Sequence, residues 1–132
     1  MGWRVTVIAA GIIISGWIGV AAGAALPVDD HAFSIVRGRA PRILAAGAEV
    51  RVNLELGNEG RRTWRADGSF AVSYHWLDRD GAIVDLEGRR TRFSREVGPG
   101  DTVEIDALLV APKRPGNYRL QWDVVEEGVC WF

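Results

Sequence analysis

Ser73, His75 and Asp78 stand within six positions of one another and supply the hydroxyl, imidazole and carboxylate types of a hydrolytic relay. Their spacing argues against one. Along an extended strand, side chains advance about 3.3 Å per residue and alternate between faces, so three groups on one short strand spread out and cannot converge on a reacting atom. Metal chemistry has equally little to work with. The chain holds 2 His and 1 Cys, and His31, His75 and Cys130 are far apart in sequence with no zinc-type spacing between them. No nucleophile, paired carboxylate or ligand cluster stands out, so the chain is expected to be non-enzymatic, with no cofactor and no metal.

Recognition chemistry is better represented. Arg61, Arg62 and Arg65 bracket one connection, and Arg89, Arg90 and Arg92, followed by Arg95, form a second group. Guanidinium groups pair well with planar anions, such as a partner's carboxylates, a lipid headgroup or an acidic glycan. The plain alternative is that they are solvated loop and edge charges, which discourage sheet-to-sheet aggregation. Asp67, Asp85, Glu87 and Glu96 are interleaved with them, which weakens a broad membrane-binding patch and suits a specific protein contact. Trp131 and Phe132 either complete a last strand or form an exposed apolar patch of the kind that marks interfaces. Lys and Arg number 16 against 17 Asp and Glu, a net charge of −1, which gives no electrostatic case for nucleic acid.

The elements that would carry these groups begin with an apolar stretch. Val5 to Leu26 contains no charged residue, and as a helix at about 1.5 Å per residue it would span roughly 33 Å, enough to cross a bilayer core. Residues 1–26 are therefore expected to be a transmembrane signal anchor. A cleaved secretory signal is the competing reading, since Ala22-Gly23-Ala24 offers a small-x-small pattern, but the run exceeds the usual apolar core of such signals. Gly11, Ser15, Gly19 and Gly23 recur at four-residue spacing and would line one side of the helix, a face suited to lateral packing against other spans. A short tail with Arg4 favours an exported soluble part, on the periplasmic or extracellular side of a bacterial inner membrane. No lipobox cysteine stands near Leu26.

Residues 27–32 read as a short linker and residues 33–132 as one domain. Glu49 to Leu56 alternates, with Val50, Val52, Leu54 and Leu56 on one face and Arg51, Asn53 and Glu55 on the other, the signature of a half-buried strand. Phe70, Val72, Tyr74 and Trp76 form the next inward face; Val103, Ile105, Ala107 and Leu109 another; Tyr118, Leu120, Trp122 and Val124 a fourth. A first strand is expected near residues 32–36. Turn chemistry separates these runs at Asn58-Glu59-Gly60, at Asp80-Gly81, where a tight hairpin into residues 82–86 is favoured, at Gly98-Pro99-Gly100 and at Pro112 to Gly116. Six or seven short strands at regular spacing predict an all-β, immunoglobulin-like antiparallel sandwich. Trp64, Trp76 and Trp122 are expected between the two sheets, and Tyr118 is expected to pin a neighbouring connection through its hydroxyl.

Asn58-Glu59-Gly60, Thr63-Trp64, Ser73-Tyr74-His75-Trp76-Leu77-Asp78, Gly98-Pro99-Gly100, Ala111-Pro112, Pro115-Gly116-Asn117-Tyr118 and Glu126-Glu127-Gly128-Val129-Cys130-Trp131-Phe132 together carry a resemblance. From about Glu49 to Phe132 the chain resembles the immunoglobulin-like modules found beside some bacterial glycosyltransferases. More distantly it is similar to the four-tryptophan domains of autophagy receptors and the C-terminal domains of polysaccharide exporters. The matching residues are turns and core aromatics, so the resemblance implies the fold, and it implies a sugar-related role by association alone.

These readings combine into an expectation of a membrane-anchored accessory subunit that docks on and stabilises a larger membrane protein complex, whether respiratory, photosynthetic, transport or envelope-synthesising. Its partners would be other membrane subunits, with the bilayer met through the helix. The alternative is a cell-envelope glycan-binding module acting with a separate glycosyltransferase or exporter.

Overall fold

The computed structural model of the chain describes residues 5–7 and 29–132. These form nine strands and no helix: β1 Val5–Val7, β2 Phe33–Gly38, β3 Glu49–Asn58, β4 Phe70–Asp78, β5 Ile83–Asp85, β6 Thr91–Arg92, β7 Thr102–Val110, β8 Tyr118–Glu126 and β9 Cys130–Trp131. One sheet has the order β1-β8-β4-β5, with β6 also on β4 and β9 on β8; the other is β2-β3-β7. All pairings are antiparallel except β1 on β8. Both sheets contribute to one apolar core, giving a sandwich-like arrangement.

The alternating sequences do what their period requires. Val52, Leu54 and Leu56 of β3 turn inward and are buried, in register with Ala107, Ile105 and Val103 of β7. Tyr74, Trp76 and Trp122 fill the space between the sheets, Tyr74 meeting Trp122 edge-on with ring centroids 5.6 Å apart. Rings this large contribute most of the burial in a small core.

The same aromatics protect an edge. β7 is the outer strand of its sheet, and its free backbone groups need partners if they are not to recruit another chain. Trp76 Nε1 donates to the Val110 carbonyl at 2.8 Å, Tyr74 Oη accepts from the Val110 amide at 2.9 Å, and Thr91 Oγ1 accepts from the Leu108 amide at 2.8 Å.

Two turns take the form their residues predict. At the β4–β5 hairpin Gly81 sits at φ +89°, a conformation that glycine reaches without strain, while Asp78 Oδ1 accepts the amides of Asp80 and Ala82, each at 2.9 Å. At the entrance to β8, Tyr118 Oη donates to the Arg114 carbonyl at 2.7 Å, pinning the preceding connection.

Of the expected linker, residues 29–32 are held by the β3–β4 connection. The amides of Arg61 and Arg62 donate to the carbonyls of Asp29 and Asp30, and that of Glu59 to the Ala32 carbonyl. The expected span, with Gly11, Ser15, Gly19 and Gly23, lies outside the described residues apart from Val5–Val7, which pair with Tyr118 to Leu120. Among the described residues no helix is long and apolar enough to cross a membrane.

Candidate interaction surface

β4 is buried on both faces, which alternation alone would not predict, because its outer residues Ala71, Ser73 and His75 are covered as well as its inner ones. The cover comes from the residues between β5 and β6 and from β9. Gly88 makes the close approach possible: its amide donates to the Tyr74 carbonyl at 3.1 Å, and a Cβ there would run into that carbonyl. β9 then lays Trp131 on the outer face, edge-on to His75 at 4.4 Å, with the Arg90 guanidinium 4.6 Å from the centre of the indole.

Arg90 is thereby drawn into the fold. It donates to Glu127 Oε1 and Glu87 Oε2 at 2.8 and 2.7 Å and to the Gly88 carbonyl at 2.8 Å. Burial works against its charge, but the bonds and charges of Glu127 and Glu87 outweigh burial and raise its pKa above the ordinary guanidinium value.

His75 lies beneath this cover with both ring nitrogens engaged. Nδ1 is 2.7 Å from the Leu86 carbonyl and Nε2 is 3.0 Å from Asp123 Oδ2. Ser73 Oγ donates to the Gly88 carbonyl at 2.9 Å instead of turning to His75, and Asp78 is occupied in its hairpin. The structure therefore separates Ser73, His75 and Asp78 and joins His75 to Asp123. This pair binds a covering segment in place. Asp123 carried no local signal, being 48 residues from its partner; what marks it is a carboxylate placed between the core residues Trp122 and Val124.

Arg61, Arg62 and Arg65 lie at the end of the molecule where residues 29–32 enter. Arg61 pairs with Asp30, Arg65 approaches Asp67 at 3.8 Å, and Arg62 shares Glu126 with His31 at 2.8 and 2.7 Å. Phe132 points inward, its ring against His31, Phe33, Trp64 and Phe70. Trp131 and Phe132, adjacent in sequence, thus face opposite sides of the sheet. Arg89 and Arg92 are exposed and have no ion pair among the described residues. Cys130 lies opposite Glu126, and burial together with that carboxylate pushes its thiol above the ordinary value, which disfavours the reactive thiolate. Among the described residues no group of three His, Cys, Asp or Glu side chains is placed to hold a metal.

A different surface stands open. Ile83, Val84 and Leu86 are 57%, 51% and 44% exposed on and just after β5, the edge strand of the larger sheet. Val36, Ile43 and Val129 are exposed singly elsewhere, which is ordinary. The three fall within four positions of this edge, with Ile83 and Val84 projecting to its opposite faces; apolar side chains left exposed along a sheet edge mark interfaces. Their sequence signal was the absence of polar alternation in Ile83-Val84, a short strand with no face reserved for water.

Compared with protein-family models, with curated proteins and with solved structures, the chain matches none.

Proposed function

We propose that this chain is a non-catalytic docking module of immunoglobulin-like kind, acting as the membrane-anchored accessory subunit of a larger assembly. The order β2-β3-β7 against β9-β8-β4-β5 supports the immunoglobulin-like reading. So do the buried Trp76 on β4 and Tyr118 at the start of β8, tied to an upstream carbonyl as in a tyrosine corner. The docking role rests on one observation: the β5 edge leaves Ile83, Val84 and Leu86 open to solvent, whereas His75, Arg62 and Arg90 are paired within the domain. A glycan-binding role would want an open aromatic ring, and the Trp131 ring lies under Arg90.

Gentle detergent extraction of the tagged chain from its native membrane tests this reading. A defined set of membrane proteins is expected to co-purify, and Ile83→Asp with Leu86→Asp is expected to release them without unfolding the domain. Recovery of the chain alone, or with envelope polysaccharide, would overturn it.

A further inference from the structure

Charge is unevenly paired along the sandwich. At the end where residues 29–32 enter, Arg61, Arg62 and Arg65 each have a carboxylate within 4.0 Å, while Arg92 and Arg95 on the 91–95 segment have none among the described residues. The opposite end is built from the β2–β3 connection (39–48) and the β7–β8 connection (111–117), which are joined where the Gly47 amide donates to the Pro112 carbonyl and the Ala111 amide to the Ala48 carbonyl. Arg39, Arg42, Lys113 and Arg114 lie on these connections and Arg119 at the start of β8; all are exposed, and none has an ion pair among the described residues. The neighbouring carboxylate of Asp78 is turned into its own hairpin, which leaves Glu49 and Asp80 as the exposed acids nearby.

Between the two connections is a small apolar notch. Leu44, Ala46, Ala111, Pro112 and Tyr118 line it, and Arg114 stands among them. Tyr118 Oη donates to the Arg114 carbonyl, which fixes this wall of the notch. Ile43, 59% exposed, adds apolar surface beside Arg42. The notch is shallow, with room for little more than one water molecule, so a ligand matching this end needs several carboxylates and an apolar side chain that can rest over its mouth.

We propose that the end formed by the 39–48 and 111–117 connections binds an acidic peptide segment of a partner protein, with an apolar side chain of that segment lying across the mouth of the notch beside Ile43 and its carboxylates on Arg42, Lys113 and Arg114. This deepens the docking reading and rests on it, naming the chemistry of a second contact away from β5. Exposed charges of this kind govern association rate and salt sensitivity.

The test uses the full chain in neutral detergent micelles and a short fluorescein-labelled peptide in which single leucines stand among glutamates, followed by anisotropy. Binding is expected at low salt. It should weaken about tenfold or more in Arg42→Glu with Arg114→Glu, fall when leucine is replaced by serine, and stay unchanged in Arg65→Glu at the other end. If the double variant misfolds, Lys113→Glu together with a salt titration of the unaltered chain gives the same reading. No binding, equal loss in Arg65→Glu, or preference for polygalacturonate over the peptide would overturn the proposal. Capture of native membrane partners reports separately on the parent reading: a chain that captures partners yet ignores the peptide refutes this inference alone.

Discussion

A buried imidazole that meets an acceptor at both ring nitrogens is best satisfied as the cation. For His75 burial opposes the charge, while hydrogen bonds to Asp123 and the Leu86 carbonyl and the charges of Asp123 and Glu87 favour it, and the balance raises its pKa above 6.5. A folded-state value above the unfolded one stabilises the fold fully below the unfolded pKa and loses that contribution as pH rises through the raised value. Urea denaturation should therefore show the chain weakening above about pH 6.5, with His75→Gln flattening that dependence; parallel curves for the two proteins would remove His75 as the cause. The tryptophans make a second pair of expectations. Trp76→Phe strands the Val110 carbonyl and should cost about 2–4 kcal/mol, whereas Trp64→Phe removes an Nε1 without a partner among the described residues and should cost roughly 1–2 kcal/mol, both read by urea denaturation. The burial of Trp76 was legible from its place in an alternating run, whereas Trp64 stands in no such run and was expected inside for the size of its ring. The fates of His75 and Arg90 were not, because hydrogen-bond partners that are distant in sequence leave no period to read.

At the level of elements, β3, β4, β7 and β8 were legible in their alternation, and the β4–β5 hairpin in Asp80-Gly81. What escaped was the second layer over β4: residues 86–90 have neither alternation nor apolar run, and their position follows from the Gly88 backbone approach and from Trp131 arriving on β9. Gly88→Ala should consequently destabilise by about 2 kcal/mol or more and loosen Arg90 and Trp131 together, visible as faster exchange of the amide at position 88 and a shifted Trp131 resonance. An intact spectrum with unchanged stability would show that the covering segment is not fixed there. Tyr118→Phe removes one bond at an exposed corner and should cost about 0.5–1.5 kcal/mol in the same denaturation assay.

For the molecule as a whole, a single core with direct bonds between the two sheets predicts that the domain unfolds in one step. Near-ultraviolet circular dichroism and tryptophan fluorescence should give coincident transitions in urea, and separated midpoints would mean that the sheets melt independently. The arginines illustrate what charge patterning leaves open at this scale: Arg62 and Arg90 are tied to carboxylates of β8 and of the turn after it and Arg61 pairs with Asp30 at the surface, while Arg39, Arg42 and Arg114, which are scattered along the chain, are brought to one end by strand order. The fastening of residues 29–32 also has a mechanical meaning. Tension arriving through these residues and resisted at the far end would run along β2, so its ladder to β3 would be loaded in shear, with many hydrogen bonds sharing the force, and would not open one rung at a time like a zip.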